Sequence, residues 1–228
     1  VSEAVKRDVL ATLSPDPSKL RVVYEAAGDS FYPRTAGEVQ LVRLKYDLHA
    51  PYFMFIGSVN KRKNVPTQIE AFCRARAQAK SEAVLAIAGR IGYGGEEIQD
   101  LIRRSGAGAV KLLGYVPDED VPSLYTGAQG LLLATLYEGF GIPAVEAFSC
   151  GCPVVGANVG SLPEIIGEAG LLADPKNVDS IAVQIIQLMN DEPLRKTLAA
   201  RGRERAKQFS WEKAADECLA IYRELSVR

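Results

Sequence analysis

Seven short apolar runs, separated by longer amphipathic segments, constrain the fold of this 228-residue chain more than any other feature. The runs are LRVVYEA (20–26), YFMFIGSV (52–59), AVLAIAG (83–89), VKLLGYV (110–116), GLLLAT (130–135), PVVGAN (153–158) and GLLADP (170–175). Their near-continuous apolarity predicts strands of a parallel sheet buried on both faces. Helical periodicity occupies 66–80, 96–104, 119–127, 143–150, 178–190, 192–208 and 211–226. Strand–helix alternation of this kind predicts an α/β fold, a doubly wound, Rossmann-like parallel sheet. No Pro/Gly/Ser-rich linker or repeat divides it, so one domain over 1–228 is expected. In such sheets ligands sit beyond the carboxyl ends of the strands. The informative loops are therefore those after FIGSV, AIAG, LLGYV and LLLAT.

Composition removes several function classes. A net charge of −1 gives no global attraction to nucleic acid or membrane. No apolar run reaches the roughly 18 residues of a bilayer span, and no signal-peptide pattern opens the chain. It begins Val-Ser-Glu without Met, so a piece of a longer protein is expected. One histidine, His49, cannot furnish a Ser-His-Asp triad or a multi-His metal site. Of the cysteines, Cys73, Cys150, Cys152 and Cys218, only Cys150 and Cys152 are close. Their C-G-C spacing is not that of a zinc or redox site, and buried thiols in a reducing, cytoplasmic compartment are expected.

After GLLLATLY come Glu138, Gly139, Phe140, Gly141, Ile142 and Pro143, then the helical stretch AVEAFSC with Glu146. Pro143 suits the first position of a helix, where a missing N–H costs nothing. Gly139 and Gly141 permit a tight turn and close approach of a ligand. A glycine-bracketed helix start of this kind suits a phosphate. A carboxylate repels that anion but accepts from hydroxyls, most of all a vicinal diol. Phosphates flanked by diols describe a sugar nucleotide, with one glutamate on the hexose and the other on the ribose. Each charge-assisted hydrogen bond contributes about 1.5–3 kcal/mol. From these residues alone a second reading stands beside it: Glu146 as a first-turn glutamate favoured by the helix dipole, and Glu138 as a solvated loop residue.

The stretch EGFGIPAVEAFSCGCPVV (138–155) resembles the Glu-x7-Glu signature of retaining, nucleotide-sugar-dependent glycosyltransferases of family 4, which have the two-domain GT-B fold. GSLPEIIGEAGLLADP (160–175) is similar to the segment that follows in that family, and the resemblance runs from about Ser2 to Trp211. It implies that this chain is the C-terminal, donor-binding half of a GT-B enzyme. The basic turn in GSVNKRKNVP (57–66) is similar to the family's diphosphate-holding motif, which implies that Arg62 and Lys63 neutralise the donor. Ser58 stands where many members carry a further arginine. AGRIGYGGEEI (88–98) lacks the G-x-G-x-x-G spacing of a dehydrogenase and is similar to the family's Gly-aromatic loop, with Tyr93 as the aromatic. A plain surface loop is the other reading of that stretch. LLGYVPDEDVPSLY (112–125) resembles the segment that wraps the nucleobase, which puts backbone groups of Tyr115 and Val116 on the base edge. The alternative is that Tyr115 is core.

The resemblance thus implies Glu138, Lys63 and Arg62 as the catalytic set. Ser58, Tyr115, Val116, Gly139, Phe140, Gly141, Ile142 and Glu146 would hold the donor. Sugar would pass, with retention, from a nucleotide diphospho-sugar to a glycan or lipid-linked acceptor of surface polysaccharide assembly, with no cofactor and no metal. The acceptor would sit on an N-terminal domain that nothing in this chain resembles. The helix at 211–226, with Trp211 as an anchor, would cross back to that domain or cover this one. The Arg-Lys-Asn variant resembles mannosyl- and related transferases, which implies GDP-mannose first, with UDP-glucose and similar donors open. Three rival readings stand beside this one. A glycoside hydrolase uses two carboxylates but has no need of Arg62 and Lys63. A GT-B-type sugar-nucleotide epimerase typically brings more His and acidic residues. A nucleotide-sugar-binding module without turnover is the non-enzymatic alternative.

Overall fold

The computed structural model describes residues 1–60, 62–90, 95–106 and 108–226, with the backbone alone described for 95–97. Six parallel strands form one sheet: β1 (Tyr52–Ile56), β2 (Val84–Ala88), β3 (Val110–Gly114), β4 (Gly130–Leu133), β5 (Val154–Ala157) and β6 (Leu171–Ala173). Their order is β3-β2-β1-β4-β5-β6. The chain runs outward from β1 to β3, returns to the other side of β1 for β4, and runs outward again. The order therefore reverses between β1 and β4, the position where open parallel sheets leave a crevice.

Alternation along each strand sends side chains to two separate cores. Met54, Leu131, Leu133 and Val154 pack on one face with helices α5 (Val121–Gly127), α6 (Ile142–Ser149) and α7 (Leu162–Ile166). Phe53, Phe55, Leu85, Ile87 and Leu132 pack on the other with α3 (Val65–Gln78), α4 (Gly95–Arg104) and α8 (Val178–Asn190). Phe53 meets Phe72 of α3 edge-on at 5.8 Å between ring centres. Each such aromatic contributes about 1.5–3 kcal/mol by leaving water. Helix α9 (Glu192–Ala206) closes against α6, where Gly202 lies so near the Phe148 ring that a Cβ there would stand 2.6 Å from Cδ1.

Six of the seven expected strands form. The seventh, 20–26, is a correction: it forms no strand and lies outside the sheet. Its side chains anchor it in place of a ladder. The Tyr24 ring stacks edge-on against Phe209 at 5.7 Å and lies 6.1 Å from Phe140, and its hydroxyl donates to Glu164. Its apolar residues therefore serve the outer surface of a core. Two helices precede the sheet that the apolar pattern alone does not predict, α1 (Glu3–Leu13) and α2 (Ala36–Lys45). Both begin at strong caps. The Ser2 hydroxyl accepts from Val5 N, and Thr35 with Glu38 forms a complete capping box. The last helix, α10 (Trp211–Ser226), buries Ala214 and leaves Trp211, Leu219, Tyr222 and Leu225 exposed. None of the described helices is long and apolar enough to cross a membrane.

Candidate functional site

The turn after β1 carries the basic residues, and buried amides hold it to the end of β4. Asn64 adopts a left-handed conformation (φ 56°) and its Nδ2 donates to Ala134 O at 2.8 Å and to Pro175 O at 2.7 Å. Gln68 spans the same gap, donating to Lys63 O at 2.8 Å while its Oε1 accepts from Ala134 N at 3.2 Å. Asn60 accepts from Lys63 N at 3.0 Å. With both sides of the crevice tied together, Lys63 Nζ reaches Glu138 Oε1 at 2.7 Å. The two side chains are only 13% and 9% exposed, so the pair is largely out of water. Arg62 is exposed at the rim of the same turn, and Ser58 is exposed just after β1.

Glu138 is fixed by its own loop. The fully buried Ser161 hydroxyl lies 2.7 Å from Phe140 O and 3.0 Å from Glu138 O, and Ser2 Oγ donates to Gly139 O at 2.6 Å. Gly141 caps α6 with φ 107°, where a Cβ would also strike Leu162 Cδ2 at 2.7 Å. Only glycine tolerates both. No side chain among the described residues caps this helix. Among the described residues the amides of Gly139, Phe140, Gly141 and Ile142 donate to nothing. Four N–H groups without an acceptor at the positive end of a helix are the kind of arrangement that can hold an anion. Lys63 stands at its edge through its pair with Glu138.

Glu146 lies in the body of α6, where Tyr125 O–H donates to its Oε2 at 3.2 Å. Burial pushes its carboxyl up to about 7, against the opposing hydrogen bond from Tyr125 and with a further push from the Asp118 charge. Tyr125 is itself held well above its ordinary value by burial and by Glu146, so it stays a phenol that donates. At the ends of β2 and β3, the Arg90 guanidinium lies over the Tyr115 ring, 5.4 Å from its centre. Tyr115 is 63% exposed and is not core, whereas the Val116 side chain is buried.

The structure thus gathers Lys63, Glu138 and Gly139–Ile142 around one crevice, with Glu146 on the helix that leads away from it. Tyr93 lies outside the described residues. His49 is exposed and bonded to Asp47 ahead of β1, at the opposite end of that strand from these loops. All four cysteines are free thiols, and burial raises Cys150 to about 12, an inert group. The supporting residues Asn64, Gln68, Ser161 and Tyr125 escape a reading by motif, because each acts on a partner 21 to 111 residues away. Glu164 escapes it too: its carboxylate accepts from Glu3 N at 2.9 Å, Ala4 N at 3.1 Å and Tyr24 O–H at 2.6 Å. Burial opposes its ionisation, yet these donors hold it below the ordinary carboxylate range.

Known proteins are similar to this chain in sequence and fold. A family model described as glycosyl transferases group 1 matches residues 42–205. The O-antigen chain mannosyltransferase B of Escherichia coli is 36% identical over 225 residues, which is 98% of this chain and 59% of that protein. The MMP alpha-(1->4)-mannosyltransferase of Mycolicibacterium hassiacum is 27% identical across 100% of this chain and 54% of its own length. Among solved structures, a glycosyltransferase from Rickettsia africae superposes with a TM-score of 0.89 at 22% identity, covering 98% of this chain and 62% of that one. The chain therefore spans a little over half the length of these curated relatives. Its six-stranded sheet with helices on both faces is the arrangement found in glycosyltransferases of the GT-B type, and the chain belongs to the glycosyl transferases group 1 family.

Proposed function

We propose that this chain is the donor-binding part of a retaining glycosyltransferase that uses a nucleotide diphospho-sugar, with mannose as the sugar. One observation carries the reading: the buried Lys63–Glu138 pair stands beside four unmatched amides at the reversal point of the sheet. Lys63 has three N–H donors and gives one to Glu138, leaving two for phosphate oxygens. Glu138 Oε1 takes Lys63, and Oε2, which has no partner among the described residues, accepts a hexose hydroxyl. The pair thereby aligns sugar and diphosphate on either side of the bond that breaks. As the bond breaks, negative charge grows on the leaving nucleotide diphosphate. The amides, Lys63 and Arg62 oppose that charge without reorganising. Glu146 accepts from the ribose hydroxyls. No metal is invoked, because these cations and amides supply the positive charge.

Mannose as the sugar, and surface polysaccharide as the destination, are supported by the names of the relatives in Escherichia coli and Mycolicibacterium hassiacum. The acceptor, a glycan or lipid-linked saccharide, would dock on a further domain of the longer protein, and the exposed apolar face of α10 would contact that domain. The reaction would take place in the cytoplasm. A calorimetric screen of nucleotide diphospho-sugars, run with and without EDTA, tests the donor site. Binding of at least one donor, indifferent to EDTA and lost in Lys63→Ala, is expected. Absence of binding by every donor, or binding that Lys63→Ala leaves intact, would sink the reading.

A further inference from the structure

Arg90 is absorbed by neither the diphosphate cradle nor the hexose contact. It follows Gly89, where the chain leaving β2 presses on the chain leaving β1: φ is 146°, and a Cβ there would stand 1.9 Å from Gly57 O. The backbone bonds Gly57 N to Ala88 O (2.9 Å), Val59 N to Arg90 O (3.0 Å) and Gly89 N to Gly114 O (2.7 Å) knit the carboxyl ends of β1, β2 and β3 into one rim. Lys63 leans on the same rim, its Cε 3.9 Å from where a Cβ of Gly57 would be. Arg90 is exposed on this rim with its guanidinium over the exposed Tyr115 ring, and no carboxylate pairs with it among the described residues. A planar cation resting on an aromatic face is held in orientation while its N–H edge stays available.

The sheet sets the distance from this cation to the cradle. Tyr115 follows β3 and Glu138 follows β4, and β2 and β1 lie between those strands. Three strand spacings come to roughly 14 Å. A base, a ribose and two phosphates bridge such a span when extended. Arginine offers only donors, set in a fork. Among the bases, guanine presents two adjacent acceptors, O6 and N7, on one edge. Adenine pairs an acceptor with an amino donor, cytosine presents a donor, and a uracil edge has O4 without a second acceptor beside it.

We infer that Arg90, stacked on Tyr115, selects a guanine base in the donor, its guanidinium donating to O6 and N7. The inference rests on the donor site proposed above and assigns that site its base. Calorimetry with GDP, ADP, UDP and 7-deaza-GDP tests it on the chain and on two variants. The unchanged chain should bind GDP tightest, with 7-deaza-GDP about 10-fold weaker. Arg90→Met should weaken GDP about 10- to 100-fold, bind GDP and 7-deaza-GDP alike, and leave UDP unchanged. Arg90 is exposed, so an unaltered Tm should show that the variant is folded. A preference of the unchanged chain for UDP or ADP would overturn the inference, as would equal losses of GDP and UDP in Arg90→Met. Lys63→Met separates the two levels. If it weakens all three nucleotides while Arg90→Met discriminates none, only the base assignment fails. If Lys63→Met leaves GDP binding intact, or no nucleotide binds, the donor site fails with it.

Discussion

Replacing Glu146 with glutamine should make the empty protein more stable while weakening its hold on a nucleotide. Glu146 is largely enclosed by α6, α5 and the loop carrying Asp118, and burial raises its carboxyl to about 7 from an ordinary 4.5. The folded state therefore binds this proton more tightly than the unfolded state does. Stability contributed by the protonated form is fully present below about 4.5 and is lost as the pH rises through about 7. At 1.36 kcal/mol per pH unit, the interval between those values is worth at most about 3 kcal/mol. Glutamine has the shape of the protonated acid and carries no charge to bury, so Glu146→Gln escapes the loss. Urea unfolding of both proteins from pH 4 to 8.5 measures it. The two curves should nearly coincide at pH 4, diverge through pH 5–7, and leave the variant more stable by about 2–3 kcal/mol at pH 8. Tyr125 can still donate, to the amide oxygen of the glutamine. Binding of a nucleotide diphospho-sugar, whose diphosphate does not titrate near 7, should strengthen with pH in the unchanged protein and lose that dependence in the variant. A variant that is less stable than its parent at pH 8, or a difference that does not change with pH, would refute the reasoning.

Two further outcomes follow from the crevice. Lys63→Met leaves the Glu138 carboxylate buried without its partner and should cost about 3–5 kcal/mol in urea unfolding, whereas adding Glu138→Leu should return most of that loss. Asn64→Ala removes two buried hydrogen bonds to Ala134 O and Pro175 O and leaves both carbonyls short of a donor. It should cost about 2–3 kcal/mol in unfolding, and it should weaken donor binding because the Lys63 turn loses its tie to β4.

Six strands were legible as apolar runs, and the helices between them as periodic segments, because both patterns depend on residues a few positions apart. The segment 20–26 is similarly apolar and is no strand, since Tyr24 is committed to Phe140, Phe209 and Glu164 rather than to a ladder. Helices α1 and α2 carry weak apolar stripes but strong caps, so Ser2 and the Thr35–Glu38 box were the better signal. Tyr115, open to a core reading from its apolar surroundings, is exposed because it lies past the end of β3.

By itself the chain's order of residues determined the parallel sheet, the glycine-bracketed entry to α6, and which loops carry glutamate, lysine and arginine. These are short-range properties, set by spacing, side-chain volume and backbone freedom. Only the tertiary structure decided that Lys63 meets Glu138 across 75 residues, that Glu146 holds its proton near neutrality, and that Arg90 lies on Tyr115. Contact and burial depend on the order in which strands lie side by side. That order is a property of the whole packed sheet, which no single stretch of the chain encodes.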